Sequence, residues 1–410
     1  MKHILFISLL FLINAGCSFV HLEKDLKAQK AYGEIRGTWS TEKSNISPMV
    51  VALVENNSQP PRLVDYVTQM NADEFWFLVP QGSYRIFVYE DSNEDGSYQL
   101  TERIGQSSLL ELKEAGQKIT VSVSVPETTD TSILYDMAKI KAKTQQDFTK
   151  SRVSLGSTIS LDDPVFNETN VAMGLWQPLK SIKSLKFGLF LLEPYDPARQ
   201  PVLFVHGVSG SPRQFRSLIA ALEKNKYQPW VVYYPSGFSI SLTGDYLKTI
   251  IDEMHSRYKF DNLAVIAHSM GGLVTRSMLT SYGSSTKGFS VKTYITISTP
   301  WGGHSAAEMG LKYAPAVIPV WHDMVPGSPF LKDVFAKTLP PETDHYLLFS
   351  YQGSSSFAGG NSDGVVSIAS QLYPEAQAGA AVVRGFDETH TSILNNAAMS
   401  EQIRAILARE

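Results

Sequence analysis

Ala267-His268-Ser269-Met270-Gly271-Gly272 is the segment with the clearest chemical content. It follows an apolar run, NLAVIAH at 262–268, and leads into GLVTRSML, which has the spacing of a helix. A serine held in a tight strand-to-helix turn projects its Oγ above the sheet, and only small neighbours fit such a turn. Serine is a weak nucleophile at neutral pH, so it needs a base, and the base needs an acid to orient it. Four histidines follow Ser269 in the chain, at positions 304, 322, 345 and 390, and Asp323, Asp344, Asp363 and Asp387 are acids within reach of that order. The bland alternative is a serine in a chance turn of small residues.

The surrounding elements decide between these readings. From about residue 185 strands and helices alternate. PVLFVH (201–206), YQPWVVYYP (227–235), NLAVIAH (262–268) and VKTYITIST (291–299) read as strands, the first and third apolar enough to be buried on both faces. Helical stretches around 213–224 and 243–258 lie between them. This is the grammar of a doubly wound, mostly parallel α/β sheet. Residues 304–340 interrupt it with many apolar side chains, among them Met309, Val320, Trp321 and Leu331. They form either a cap that meets an acyl chain or a satellite helix pair packed on the core.

With strand, turn and helix in this order, Ala267–Gly272 resembles the G-x-S-x-G nucleophile elbow of α/β-hydrolases, Ala267 replacing the first glycine. The resemblance implies a chain order of Ser, acid, His. It puts the base at His390, in FDETHTS just before a final helix, and the acid at Asp363, in the D-G-x-V-like segment Asp363-Gly364-Val365-Val366. It implies oxyanion donors at the backbone N–H groups of Met270 and of Val208, which follows His206-Gly207. Gln214-Phe215-Arg216-Ser217-Leu218 and Ser298-Thr299-Pro300-Trp301-Gly302-Gly303 look like bacterial triacylglycerol lipases and the GPI inositol-deacylase-like group. The resemblance covers about 190–410. It implies carboxyl-ester hydrolysis through an acyl-enzyme, with no cofactor required for catalysis. Alternatives are a phospholipase or lysophospholipase, a thioesterase, or a non-catalytic envelope lipoprotein that uses the fold as a binding scaffold.

Composition removes other classes. The chain has 410 residues, 43% hydrophobic and 19% charged, so it can bury a large core. A net charge of −4 without a Lys/Arg run excludes a nucleic-acid binder that relies on phosphate neutralisation. One cysteine excludes an internal disulfide and a CxxC metal site. That cysteine, Cys17, follows Lys2, the apolar run Ile4–Ile13 and Ala15-Gly16. The run is too short to span a bilayer and suits a signal peptide. It resembles a bacterial lipoprotein lipobox, with Asn14 in place of the usual aliphatic residue. The resemblance implies cleavage before Cys17 and acylation there, palmitate included, so that the mature chain is anchored in the bacterial cell envelope. Ser18 after the cysteine points to the outer membrane. The implied partners are that membrane and a lipid or other ester substrate.

Residues 35–128 carry short β-rich runs without helices: MVVALVE (49–55), EFWFLV (74–79), SYRIFVYE (83–90) and ITVSVSV (119–125). They predict a small all-β sandwich. Within it, Asp91 to Glu102 (DSNEDGSYQLTE) matches the D-x-[DN]-x-[DN]-G-x5-E calcium loop. Asp91, Asn93, Asp95, Ser97, Gln99 and Glu102 would be the ligands of a structural Ca2+. A strand rather than a helix precedes it, and an acidic hairpin held by Asx turns is the other reading. The expected organisation is a leader at 1–16, a tether at 17–34, the sandwich at 35–128, a connecting helix and linker at 129–184, and the α/β-hydrolase unit at 185–410.

Overall fold

Apolar runs such as Val202–Val205 have no polar face to turn toward water, so they fold only where both faces are covered. The computed structural model describes residues 18–41, 49–56, 62–69, 74–90, 92–93, 100–114, 116–125, 153–283, 288–355 and 360–409. The chain forms two units, residues 26–151 and residues 1–25 together with 152–410.

In the N-terminal unit the strands are β1 (Tyr32–Thr41), β2 (Met49–Glu55), β3 (Arg62–Gln69), β4 (Glu74–Pro80), β5 (Gly82–Glu90), β6 (Arg103–Gln106), β7 (Leu110–Leu112) and β8 (Lys118–Val125). One sheet has the order β4-β1-β8 and the other β3-β2-β5-β6, with β7 also on β5. All pairings are antiparallel except β1 with β8. Ile35, Phe77 and Val123 of the first sheet share a core with Val51, Leu53, Ile86 and Val88 of the second, so the unit is a sandwich. In β8 buried and exposed residues alternate: Val123 is buried while Thr120 and Ser122 face outward. The sandwich begins at Tyr32, and residues 18–30 are helical, which differs from a polar tether reaching residue 34.

The second unit is built on eight strands: β9 (Val153–Thr158), β10 (Phe187–Leu191), β11 (Gln200–Val205), β12 (Tyr227–Tyr233), β13 (Ala264–His268), β14 (Thr293–Ile297), β15 (Asp344–Ser350) and β18 (Ala380–Phe386). A two-residue-per-strand hairpin, β16 (Ser354–Ser355) and β17 (Gly360–Asn361), lies between the last two. The order across the sheet is β18-β15-β14-β13-β11-β12-β10-β9. Only β10 against β12 is antiparallel. β11, β13, β14, β15 and β18 are therefore mutually parallel, and the loops that follow them share one edge of the sheet. In open α/β sheets that edge carries the ligand.

The second unit takes in more chain than the sequence suggested. Residues 152–184, expected as linker, contribute β9 and the helices Glu168–Trp176 and Pro178–Ser184. Asp25 accepts hydrogen bonds from the Leu179 and Lys180 N–H groups at the start of the second helix. β9 (VSLGST) is an edge strand poor in β-branched residues, so its periodicity is weak. The connecting helix expected at the start of 129–184 falls in 126–152, outside the described residues.

Helices cover the sheet. α1 (Ile240–Tyr258) starts on Ser239, whose Oγ accepts from Leu242 N–H, and buries Leu247, Ile250, Ile251 and Met254 at helical spacing. α2 (Met270–Thr280) is buried along most of its length. Three short helices follow: α3 (Ser305–Tyr313), α4 (Pro319–Met324) and α5 (Pro329–Ala336). They bury Ile318, Val320, Leu331 and Val334. Asp323 accepts from Ile240 N–H at the start of α1, and Arg276 of α2 donates to Val334 O at 3.2 Å. Thus one side of the segment is docked on α1 and α2, while Met309 and Tyr313 are exposed on α3. The final helix, α6 (Ala397–Leu407), is capped by Asn396 and packs Met399, Ile403 and Ile406 into the core with Ile295, Leu348 and Phe386.

Candidate active site

Ser269 occupies the turn between β13 and α2 at φ 55° and ψ −133°. A non-glycine residue there costs about 1–3 kcal/mol, which the packing around it must offset. Close approach explains the small neighbours. A Cβ on Gly271 would lie 2.4 Å from Val205 O, and one on Gly272 would lie 2.1 Å from Thr299 Oγ1. From the other side, a Cβ on Gly207 would come within 2.7 Å of Ser269 Cβ and 3.1 Å of its Oγ. The turn is pinned by Ser269 N–H donating to Ile297 O at 2.8 Å.

Asp363 and His390, 27 residues apart in the chain, meet as a buried pair, with His390 Nδ1 2.8 Å from Asp363 Oδ2. A carboxylate there accepts, so Nδ1 carries the proton and Nε2 is free to take another. The backbone ties the same loops together, His390 N–H donating to Asp363 O at 2.9 Å. Asp363 receives four further donors. Val365 and Val366 N–H reach Oδ1 at 3.0 and 2.7 Å, while Ser350 Oγ and Gln371 Nε2 reach Oδ2 at 2.8 and 3.1 Å. Burial alone would raise this carboxyl, but His390, the Val366 amide and the Ser350 hydroxyl outweigh it and hold Asp363 below the ordinary carboxylate value. Ser298 Oγ lies 2.6 Å from Ser350 Oγ. Ser350 spends its proton on Asp363, so Ser298 donates to Ser350.

Two backbone amides flank Ser269. Met270 N–H opens α2, and Val208 N–H follows Gly207, whose peptide passes alongside the serine. Among the described residues neither amide has an acceptor within the protein, as an oxyanion site requires.

The remaining histidines have other surroundings. His206 is fully buried, stacks on Tyr234 with centroids 4.2 Å apart, and is pushed down by burial to about 4. His345 is buried with Nε2 2.8 Å from Thr296 Oγ1 and is likewise pushed down to about 3. Both stay neutral near pH 7 and face no nucleophile. His304 caps α3, accepting from Ala306 N–H, and burial lowers it below the ordinary value. His322 is exposed on α4. Of the rival acids, Asp323 holds the start of α1, and Asp344 and Asp387 are exposed.

Sequence reasoning missed Ser350, Gln371, Ser298, Gln214 and His268 as parts of this network. His268 is buried between Gln214 Nε2, 2.9 Å from Nδ1, and His390 O, 2.8 Å from Nε2. The available signal was polarity at the end of buried strands: Ser350 ends HYLLFS, and His268 ends AVIAH.

Of the calcium-loop residues, Asn93 and Glu102 are described, whereas Asp91, Asp95, Ser97 and Gln99 lie outside the described residues, as does Cys17. Glu102 Oε1 accepts from Ser92 N–H and Oγ, both at 3.1 Å. Among the described residues no group of three or more His, Cys, Asp or Glu could hold a metal ion, and no helix is long and apolar enough to cross a membrane.

Residues 236–376, which include Ser269 and Asp363 and stop short of His390, match the model of a family described as an alpha/beta hydrolase of unknown function (DUF915). Among curated protein sequences none matches the chain. Similar solved structures include the mature lipase BlEst2 of Bacillus licheniformis, 20% identical with TM-score 0.42 over 53% of this chain and 97% of that one. The lin2722 product of Listeria innocua is 15% identical with TM-score 0.40, over 52% and 95%. Lipase B of Aspergillus fumigatus is 15% identical with TM-score 0.40, over 57% of each chain. By its strand order and the match over 236–376, the second unit has the α/β-hydrolase fold, with a separate β-sandwich before it.

Proposed function

We propose that the protein hydrolyses carboxyl esters through an acyl-enzyme. The observation that carries this reading is the buried Asp363–His390 pair, on loops at the same sheet edge as Ser269. Ser269 Oγ attacks the ester carbonyl while His390 Nε2 takes its proton. Asp363 keeps the Nδ1 proton in place and stabilises the imidazolium. The Val208 and Met270 amides donate to the developing oxyanion. His390 returns the proton to the leaving alcohol. It then activates water, which attacks the acyl carbonyl and frees the carboxylic acid and Ser269. No redox step or external group enters this balance.

The proposed setting is the bacterial envelope, with the mature chain anchored through acylated Cys17 and a lipid or other ester as substrate. Supporting the lipid substrate, though not the anchor, α3 exposes Met309 and Tyr313 on a segment that begins at His304, beside the loop of Asp363. A structural Ca2+ at 91–102 is a separate proposal without a catalytic role.

A fluorophosphonate label and a ladder of p-nitrophenyl esters from C2 to C16 test the chemistry, on a soluble fragment that starts at residue 18 and so keeps the helix over 18–30. Labelling and turnover lost together in Ser269→Ala support it. Labelling retained by the folded variant refutes the nucleophile.

A further inference from the structure

We propose that His268 is a positioning residue, a neutral imidazole strut that keeps the loop of His390 in register with the Ser269 turn and with the loop after β11. The proposal rests on the reading of Ser269 and His390 as nucleophile and base, and it adds the part that sets their mutual position. His268 is not a proton carrier in it.

The proton on the ring is placed by its partners. A backbone carbonyl can only accept, so the 2.8 Å contact from Nε2 to His390 O requires the proton on Nε2. Nδ1 of the neutral ring is then an acceptor, and Gln214 Nε2 donates to it at 2.9 Å. Burial pushes this histidine down to about 3, so it keeps the single proton throughout the working range of an esterase. Its ring stands 4.7 Å from that of His390 at 47°, a contact without a shared proton.

The three anchoring points lie on loops that leave three different strands. His268 is joined to Ser269 by a peptide bond at the end of β13. His390 is in the loop after β18, where its N–H is held by Asp363 O and its C=O by His268. With both peptide groups clamped and Nδ1 bound to Asp363, the direction of Nε2 is set. Gln214 follows β11 and packs on the loop of Val208, since a Cβ at Gly210 would lie 2.6 Å from its Oε1. One ring thus bonds directly to the base loop and to the oxyanion side, and covalently to the nucleophile. Proton transfer and attack depend steeply on such registration, a 1 Å misplacement costing on the order of a hundredfold in rate.

His268→Phe keeps a ring and removes both hydrogen bonds; His268→Gln keeps an amide N–H that can reach the His390 carbonyl. In His268→Phe, kcat on p-nitrophenyl butyrate should fall on the order of a hundredfold with KM within about twofold. His268→Gln should recover at least tenfold of that loss, and Gln214→Leu, which leaves the ring in place, should lose roughly three- to tenfold. Hydrogen–deuterium exchange of the amides at 387–393 should speed up in His268→Phe and return toward wild type in His268→Gln. Wild-type kcat in His268→Phe, equal impairment in the Phe and Gln variants, or unchanged exchange at 387–393 would overturn the proposal. If His268→Phe does not fold, an undiminished kcat in Gln214→Leu overturns the link to the oxyanion side. If the wild type neither hydrolyses esters nor is labelled at Ser269, the functional reading fails, and the exchange measurement still decides the strut.

Discussion

Replacing Asp363 by Asn probes the site most directly, because five donors converge on that carboxylate. The amide oxygen of Asn can serve Val365 and Val366. Its NH2 then points at Ser350, Gln371 and His390. Ser350 can rotate to accept, but the Gln371 amide meets another donor, and His390 must move its proton from Nδ1 to Nε2 to accept the new N–H. That tautomer has no lone pair for the Ser269 proton. The equivalent substitution in a Ser-His-Asp triad lowers kcat about ten-thousandfold, or about 5.5 kcal/mol of transition-state stabilisation. The fold should lose less. One buried donor left unsatisfied costs about 1–3 kcal/mol, which for a unit of this size is a fall in Tm of roughly 2–5 °C. The lowered value of Asp363 adds a signature in acid. A depressed carboxyl contributes stability that is complete above its unfolded value, about pH 4, and is lost as the pH falls through the folded value. Asp363→Asn should therefore flatten the acid limb of the stability profile. The assay is kcat on p-nitrophenyl butyrate with Tm measured from pH 2 to 8, and Asp387→Asn, at an exposed position, is the control. A folded Asp363→Asn enzyme within tenfold of wild type would refute the assignment of the acid.

Other perturbations separate catalysis from packing. Ser269→Gly removes the nucleophile and also relieves a backbone angle that glycine tolerates, so it should melt higher than Ser269→Ala, by up to about 2 kcal/mol; differential scanning calorimetry giving the reverse order would sink the strain argument. Met309→Asp with Tyr313→Asp should lower turnover of C12–C16 esters more than of C2 esters, and equal loss along the ladder would remove α3 from acyl binding. Millimolar Ca2+ should raise the Tm of the wild type and not of Glu102→Gln if the 91–102 loop binds it, by mass action; no shift in either protein counts against a calcium site.

The chemistry was legible where local pattern and local geometry coincide. Ala267–Gly272 reads as a tight turn because Val205 O and Thr299 Oγ1 leave room only for hydrogen at Gly271 and Gly272. The apolar strands at 201–206 and 262–268 read as buried because no face of theirs is polar. What the N-terminal half concealed is explained by weak periodicity: β9 is a small-residue edge strand, and residues 152–184 therefore looked like linker while they complete the sheet.

Sequence alone determined the type of fold, the two-part organisation and the serine at the elbow, since each depends on residues a few positions apart. The family resemblance pointed to His390 and Asp363 among four histidines and four acids, but no spacing along the chain encodes their meeting, and the tertiary structure is what brings the two side chains together. His390 and Asp363 are joined because β15 and β18 are parallel neighbours whose loops leave the same edge. Ser350, Gln371 and His268 belong to the network for the same reason: their polar atoms end buried strands or short helices that only the assembled sheet brings together, and no spacing along the chain encodes that meeting.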